Sequence, residues 1–477
     1  NFILEIGRKP SSHGGVGEQP WRVLIDCGLI QGAPEDMIHN RDPFLYDPAS
    51  IDMLFVTHAH LDHVGRIAKL VKDGFRGAIY STLETMELGK LIMEDGASLI
   101  SREARSQGIL PLYEQKDIDM AMGLWKTLPY HAETPMEGGL GDGKSASFGF
   151  SVYLKDAGHI LGSSMYRFTC NEEEKGKKGE VKIISKNVIF TGDLGNSPTP
   201  ILRDTESIED AQYIVMESVY GDRNHEPKDH RRAKLEQIIK DTIARGGTLI
   251  IPAFSVERTQ VLLFELNELV ETKRIPVIPI FVDSPLAIKV TDIYRASKTL
   301  FNDAAQAQIA RGDDIFSFPK LSYTMTSQES QAIDHVRAPK IILAGSGMSM
   351  GGRVTHHESI YLPDPKNTVL LVGYQPPGTL GRRLLDAGES LLPNRSRQVS
   401  INGEKITVAA RIESIMGYSA HKDSDRLVEF VATGKDTLKQ VFVVMGEPKA
   451  ATFLAQRLNN EVGVNAIHPD ANVIYSI

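Results

Sequence analysis

The stretch Thr57-His58-Ala59-His60-Leu61-Asp62-His63-Val64-Gly65 constrains this chain more than any other. It follows an apolar run, Met53-Leu54-Phe55-Val56, that predicts a buried strand, and it leads into a helix. Alternate residues of an extended segment share a face, so His58 and His60 point the same way where the strand ends. Asp62 and His63 then curl back over the first helical turn. Imidazoles and a carboxylate that converge on one spot are N and O donors suited to Zn²⁺ or a similar borderline cation. The plain alternative is a polar loop with surface histidines, but a buried cluster of imidazoles without a metal would be costly.

Three further strands end on acids or histidines. Trp21-Arg22-Val23-Leu24-Ile25 runs into Asp26-Cys27-Gly28, and Val152-Tyr153-Leu154-Lys155 runs into Asp156-Ala157-Gly158-His159. Val188-Ile189-Phe190-Thr191-Gly192 ends on Asp193. Strand ends of this kind gather where the sites of layered α/β folds form. From about 222 to 385 the texture changes to strand–helix units, with strands at 248–252, 277–283, 340–344 and 368–372. These runs are apolar without alternation, which points to a parallel sheet covered on both faces. After 385 the strand–turn texture returns, with Gly417-Tyr418-Ser419-Ala420-His421 and Val441 to Glu447. Segments 9–20 and 136–149 read as loops, and 171–179 as a charged hairpin tip.

The chain has 477 residues, more than one ordinary core holds, so two domains are expected. No apolar run reaches the roughly 18 residues of a membrane span. Two cysteines, Cys27 and Cys170, lie far apart, which predicts a reducing, cytoplasmic setting rather than a disulfide framework. A formal charge of -8 argues against a broad basic surface tracking long duplexes. Nucleic acid held in a cleft beside a metal stays compatible with it, since the ion supplies positive charge locally. The chain opens on Asn1-Phe2-Ile3-Leu4-Glu5, a strand without an initiator Met, so a preceding strand is expected.

An Asp ending an early strand, HxHxDH, a distant His and a distant Asp resemble the metallo-β-lactamase fold hydrolases. The resemblance continues. Glu217 in Val215-Met216-Glu217-Ser218-Val219-Tyr220 is similar to the first motif of the β-CASP nucleases, Gly417 to His421 to their second, and Val443-Val444-Met445-Gly446-Glu447 occupies the third. Phrases such as Asp283-Ser284-Pro285-Leu286-Ala287 and Gly378-Thr379-Leu380-Gly381-Arg382 resemble the bacterial and archaeal branch related to the cleavage-and-polyadenylation endonuclease. The implied fold class is α/β: a four-layer αββα sandwich at 1–222 and 386–477, with a parallel-sheet β-CASP domain inserted at 223–385 and the active site in the groove between them.

The resemblance also implies a metal-dependent ribonuclease. His58, His60 and His159 would hold one ion, Asp62 and His63 a second, and Asp193 would bridge them. Such a pair generates hydroxide, holds the phosphate and stabilises the leaving oxygen. Asp26 would orient a ligand histidine, His421 would act as general acid, and Glu217 would hold that imidazole in place. In the third motif a histidine usually completes the second metal site, and here the place belongs to Met445, a poor ligand for Zn²⁺ or Mn²⁺. One tight Zn²⁺ and one labile or missing metal are therefore expected.

Weaker signals concern RNA. Gly345-Ser346-Gly347-Met348 is not a GxGxxG; Ser346 and nearby N–H groups would either meet a phosphate or close a tight turn. Arg258, Arg353, Arg382 and Thr379 are candidates for the RNA groove, with surface or internal pairing as the alternative for each arginine. His356 and His357 read as structural residues of a helix. The expected partners are single-stranded RNA and, in a homodimer, a second copy, with no membrane. Two other readings remain: an RNA-binding protein that has lost catalysis, and a small-molecule metallohydrolase acting on thioesters or lactams.

Overall fold

A computed structural model describes residues 1–7, 19–30, 38–136, 150–175, 181–226, 228–389 and 397–477. The loops expected at 9–20 and 136–149 and the tip expected at 171–179 lie wholly or partly outside these residues. The chain forms two compact units, one from 1–224 with 421–477 and the other from 225–420.

The first unit holds two sheets. Strands β1 (Phe2–Ile6), β2 (Trp21–Ile25), β3 (Met53–Phe55), β4 (Ala78–Ser81) and β5 (Trp125–Thr127) follow one another across the first sheet. The second runs in the order β10, β9, β8, β7, β6, built from β6 (Thr134–Pro135), β7 (Phe150–Asp156), β8 (Ser164–Lys175), β9 (Val181–Phe190) and β10 (Tyr213–Glu217). Beyond β10 it is extended by Gln440–Val444 and Ala466–Ile467.

Strand periodicity explains the layers. Successive side chains alternate between faces, and here both faces are apolar. Val23, Ile25, Met53 and Phe55 pack with Val152, Leu154, Phe168, Val188 and Phe190 in the core between the sheets. Their neighbours Leu24, Leu54 and Ile79 pack the other way, against Ile67, Leu70, Met93 and Ile118 from the helices. On the second sheet Ile189, Ile214, Met216, Val441 and Val443 face Leu427, Phe430 and Leu454 of the late helices. The result is helix, sheet, sheet, helix. Phe55 sits at its centre, edge-on to Phe168 with ring centroids 5.0 Å apart.

The second unit is a six-stranded parallel sheet in the order β13, β12, β14, β11, β15, β18. Its members are β11 (Thr248–Pro252), β12 (Ile280–Asp283), β13 (Leu321–Tyr323), β14 (Lys340–Ala344), β15 (Thr368–Val372) and β18 (Arg411–Ile415). A separate hairpin pairs β16 (Gln398–Ile401) with β17 (Glu404–Thr407). Strands β11, β14 and β15 are buried at every residue, as their unbroken apolar runs require.

The sequence places the return to the first unit at 385; in the structure it falls at 420. Strand β18 pairs in parallel with β15, Thr368 opposite Arg411 through Val372 opposite Ile415, and so belongs to the inner sheet. Its half-charged sequence, Arg411-Ile412-Glu413-Ser414-Ile415, is that of an edge strand and hides this membership.

Candidate active site

The site is assembled at strand ends of the first unit. Asp26 follows β2 with φ 56, in the left-handed region, and is almost fully buried. Its carboxylate accepts from the Thr57 N–H at 2.7 Å, the Thr57 hydroxyl at 2.8 Å and His63 Nδ1 at 2.8 Å. Against the cost of burial, the His63 charge and hydrogen bond hold this carboxyl below its ordinary range. Close approach of the two segments depends on Gly28, where a Cβ would overlap the carbonyl of Asp62. That approach lets the Cys27 N–H reach the His63 carbonyl at 2.8 Å and the Leu29 N–H reach that of Leu61 at 3.0 Å.

With Nδ1 of His63 committed to Asp26, its Nε2 faces Asp193 Oδ1 at 3.5 Å and Asp62 Oδ2 at 3.9 Å. The other histidines converge beside it. His58 Nε2 and His159 Nε2 lie 3.0 and 3.1 Å from His60 Nδ1. They lie 3.4 and 3.5 Å from Asp193 Oδ2. Burial, and then charged neighbours, push His60 and His159 well below the usual histidine range, so both present lone pairs. Burial resists the ionisation of Asp193, yet His63, His58 and His421 hold its carboxyl well down.

These donors fit a metal. Four ligand atoms at about 2.0–2.1 Å from a tetrahedral ion stand about 3.3 Å from one another; the separations of His58 and His159 from His60 and from Asp193 run from 3.0 to 3.5 Å, and all four atoms lie within 4.8 Å of one another. One cation satisfies all of these converging donors at once. Asp193 turns its second oxygen to His63, and with Asp62 this makes the start of a second N/O set. Met445 directly follows the strand that brings Val444 opposite Glu217.

Beside Asp193 stands an acid–base pair. Glu217 ends β10 and is fully buried. Its Oε1 accepts from the Leu194 N–H at 2.6 Å, and its two oxygens lie 3.2 and 3.3 Å from His421 Nδ1. Desolvation would strip the proton from His421, but Glu217 and Asp193 outweigh it and raise the imidazole to about 9. The position of His421 is set by a bridge to Gly195, by the Lys422 N–H to Leu194 O at 2.9 Å, and by Lys422 Nζ to Gly195 O at 2.8 Å.

The structure thus brings together Asp26, His58, His60, Asp62, His63, His159, Asp193, Glu217 and His421. Sequence reasoning missed Thr57, whose hydroxyl also lies 3.1 Å from His58 Nδ1, and Lys422. For Lys422, its place directly after His421 was the available signal.

The five residues considered for RNA all lie in the second unit, where most have internal work. Arg353 donates to Asp283 Oδ1 and to the carbonyls of Thr324 and Met325 at 2.7–2.9 Å. Arg258 is buried, its guanidinium 5.8 Å from the ring centre of Tyr418. The Ser346 hydroxyl accepts from the Met350 N–H at 2.9 Å, closing a turn. Thr379 accepts from the Arg382 N–H at 3.1 Å, and Arg382 is exposed and paired with Asp386 at 2.9 Å.

Family models match in three places: the metallo-beta-lactamase superfamily at 22–145, the Beta-Casp domain at 259–384, and the Zn-dependent metallo-hydrolase RNA specificity domain at 405–469. A ribonuclease of Thermus thermophilus, TTHA0252, is 33% identical over 410 residues, covering 86% of this chain and 85% of that protein. The transcription termination factor FttA of Methanosarcina mazei is 30% identical over 93% of this chain, which spans only 66% of that protein's length. The solved metallo-beta-lactamase fold protein YhfI of Bacillus subtilis is 12% identical with a TM-score of 0.20, covering 46% of this chain and 72% of that one, too slight a likeness to carry an argument. Histidines and aspartates that converge as a metal requires, on an αββα frame, agree with the similarity to the Thermus protein over 86% of this chain: the chain belongs to the β-CASP family of the metallo-β-lactamase superfamily.

Proposed function

We propose that this protein hydrolyses phosphodiester bonds of single-stranded RNA, leaving a 5′-phosphate and a 3′-hydroxyl. The observation that carries the reading is the His421–Glu217 pair, 3.2 Å apart, standing beside Asp193. Zinc, when bound, supplies Lewis acidity to a phosphoryl oxygen and acidifies a water. Everything else falls to the chain. His58, His60, His159 and Asp193 hold the ion, and Asp26 fixes the ring of His63. His421 delivers a proton to the departing 3′ oxygen as the P–O bond breaks and the water's oxygen, its surplus proton released to solvent, joins phosphorus. Glu217 keeps that imidazole charged until the proton leaves, and buried as it is it cannot swing away.

The names of the relatives, a ribonuclease and a transcription termination factor, support RNA as the substrate. Internal cleavage, with trimming from the 5′ end, fits this chemistry. We assign one tight zinc and a weaker second site, because Met445 stands where a histidine would complete it. Met445 also favours a second reading, RNA binding with little cleavage. Arg382, the exposed cation among the residues considered, is the one we assign to a phosphate.

The test is cleavage of a labelled single-stranded RNA with Zn²⁺ or Mn²⁺, beside His421→Ala. Cleavage that falls at least about 100-fold in the variant supports the nuclease, since general acid catalysis is worth that much. Binding without cleavage by either protein favours the second reading. Equal rates in both would remove His421 from the mechanism.

A further inference from the structure

One histidine in the second unit has a nitrogen that its surroundings leave unsatisfied. His357 lies on the helix Arg353–Tyr361 and is fully buried. Its Nε2 donates to Asp283 Oδ2 at 2.7 Å. That carboxylate also accepts from Ser330 and Thr324 at 2.6 Å and from Arg353 at 2.7 Å. An acceptor so placed takes the hydrogen of Nε2 and leaves Nδ1 as the ring's other nitrogen. This nitrogen has no hydrogen-bond partner. It faces Asp334 Oδ1 at 3.9 Å.

Asp334 sits in the turn Ile333–His335, a short stretch before β14 starts at Lys340. Its other oxygen lies 3.0 Å from His356 Nε2. One ligand atom from each of Asp334, His356 and His357 falls within 4.8 Å of the other two.

A proton accounts for the His356–Asp334 contact but not for His357 Nδ1. An imidazolium donating from His357 Nδ1 would need its acceptor near 3 Å, and the carboxylate stands 3.9 Å away. A metal ion accounts for both. With bonds of about 2.0–2.2 Å, two atoms on one ion lie roughly 3 to 4 Å apart, and the 3.0 Å from His356 to Oδ2 and the 3.9 Å from His357 to Oδ1 both fall in that span for a carboxylate that turns both oxygens to the ion. A ligand histidine commonly gives its remaining N–H to a carboxylate, which sets its tautomer and raises its basicity. His63 does so with Asp26 at 2.8 Å in the first unit, and His357 does so with Asp283. The nearby lysine, Lys340, is occupied by the carbonyls of Ile333 and Val336 at 2.5 and 2.7 Å. His356 is about half exposed and Asp334 partly so, which leaves an entry path from solvent.

We propose that Asp334, His356 and His357 form a second transition-metal site, of Zn²⁺ type with two imidazoles, one carboxylate and a water. Bound there, the ion ties the helix Arg353–Tyr361 to the turn that feeds β14. The adjacent histidines, structural by sequence, are thereby ligands as well.

Dialysis of the purified full-length chain against low micromolar Zn²⁺, with zinc then counted per chain by mass spectrometry, tests this. His356→Ala removes an exposed side chain and should lose one equivalent of the parent's zinc. Asp334→Asn should do the same, and agreement between the two guards against a folding defect in either. His60→Ala should lose zinc independently, so that the double variant with His356→Ala loses the sum. Cobalt(II) in place of zinc should give His60→Ala a visible d–d band that the double variant lacks. Parent zinc content retained by both His356→Ala and Asp334→Asn overturns the proposal, as does a parent holding no zinc beyond what His60→Ala removes. RNA cleavage is not the readout, so the outcome is independent of the nuclease reading.

Discussion

A carboxylate that touches no substrate can still decide how a metal site behaves. Asp26 is spent on Thr57 and His63, and by accepting from Nδ1 it leaves Nε2 of His63 facing Asp193 and Asp62, where the proposed second ion would bind. Asp26→Asn keeps the shape and loses the charge. It should weaken the second metal by about 10–100-fold while the first is retained, as equilibrium dialysis would show. Met445→His acts at the same site in the opposite sense and should raise second-metal occupancy; unchanged stoichiometry would remove Met445 from that place. Glu217→Gln concerns proton delivery. Glu217 raises His421 to about 9, and a general acid works only while protonated, so on the proposed mechanism the parent's rate should be lost as pH rises through that value. Without the Glu217 charge the alkaline limb of the rate profile should move to lower pH, with a lower plateau.

At the scale of elements, what the sequence reveals depends on what each segment has to bury. Strands β11, β14 and β15 show in the sequence because both of their faces are covered, which leaves no room for polar residues. The ligand motif shows because no packing need explains three histidines in one short stretch. Strand β18 does not show, since an edge strand tolerates charge, and with it goes the boundary at 420. Thr57 is hidden for a different reason: its role depends on the positive φ of Asp26, which no local pattern announces. In the second unit, Asp283 links β12 to the helix carrying His357. Its carboxyl is depressed to about 2, below the unfolded value, so the stability it contributes is present above about pH 4 and is lost as pH falls toward 2. Asp283→Asn should therefore destabilise the protein at neutral pH, by on the order of 2 kcal/mol, and show a shallower loss of melting temperature between about pH 5 and pH 2.5.

On the scale of the whole molecule, the chain leaves its first unit once and returns once. Residues 225–420 have their own sheet and core, so this segment expressed alone should unfold cooperatively in urea. The first unit has no such independence, because Gln440–Val444 pairs with β10 from Tyr213 to Glu217. A chain ending at 420 should expose β10 as a bare edge and aggregate, which light scattering would detect. Synthesis is vectorial, and this topology gives it a direction in chemistry too. His58, His60, Asp62, His63, His159 and Asp193 all leave the ribosome before His421, with the whole second unit made in between. On the proposed mechanism, a growing chain thus collects its metal ligands early and acquires its proton donor late. While still attached to its own message, it would carry a nuclease site without the means to finish a cut.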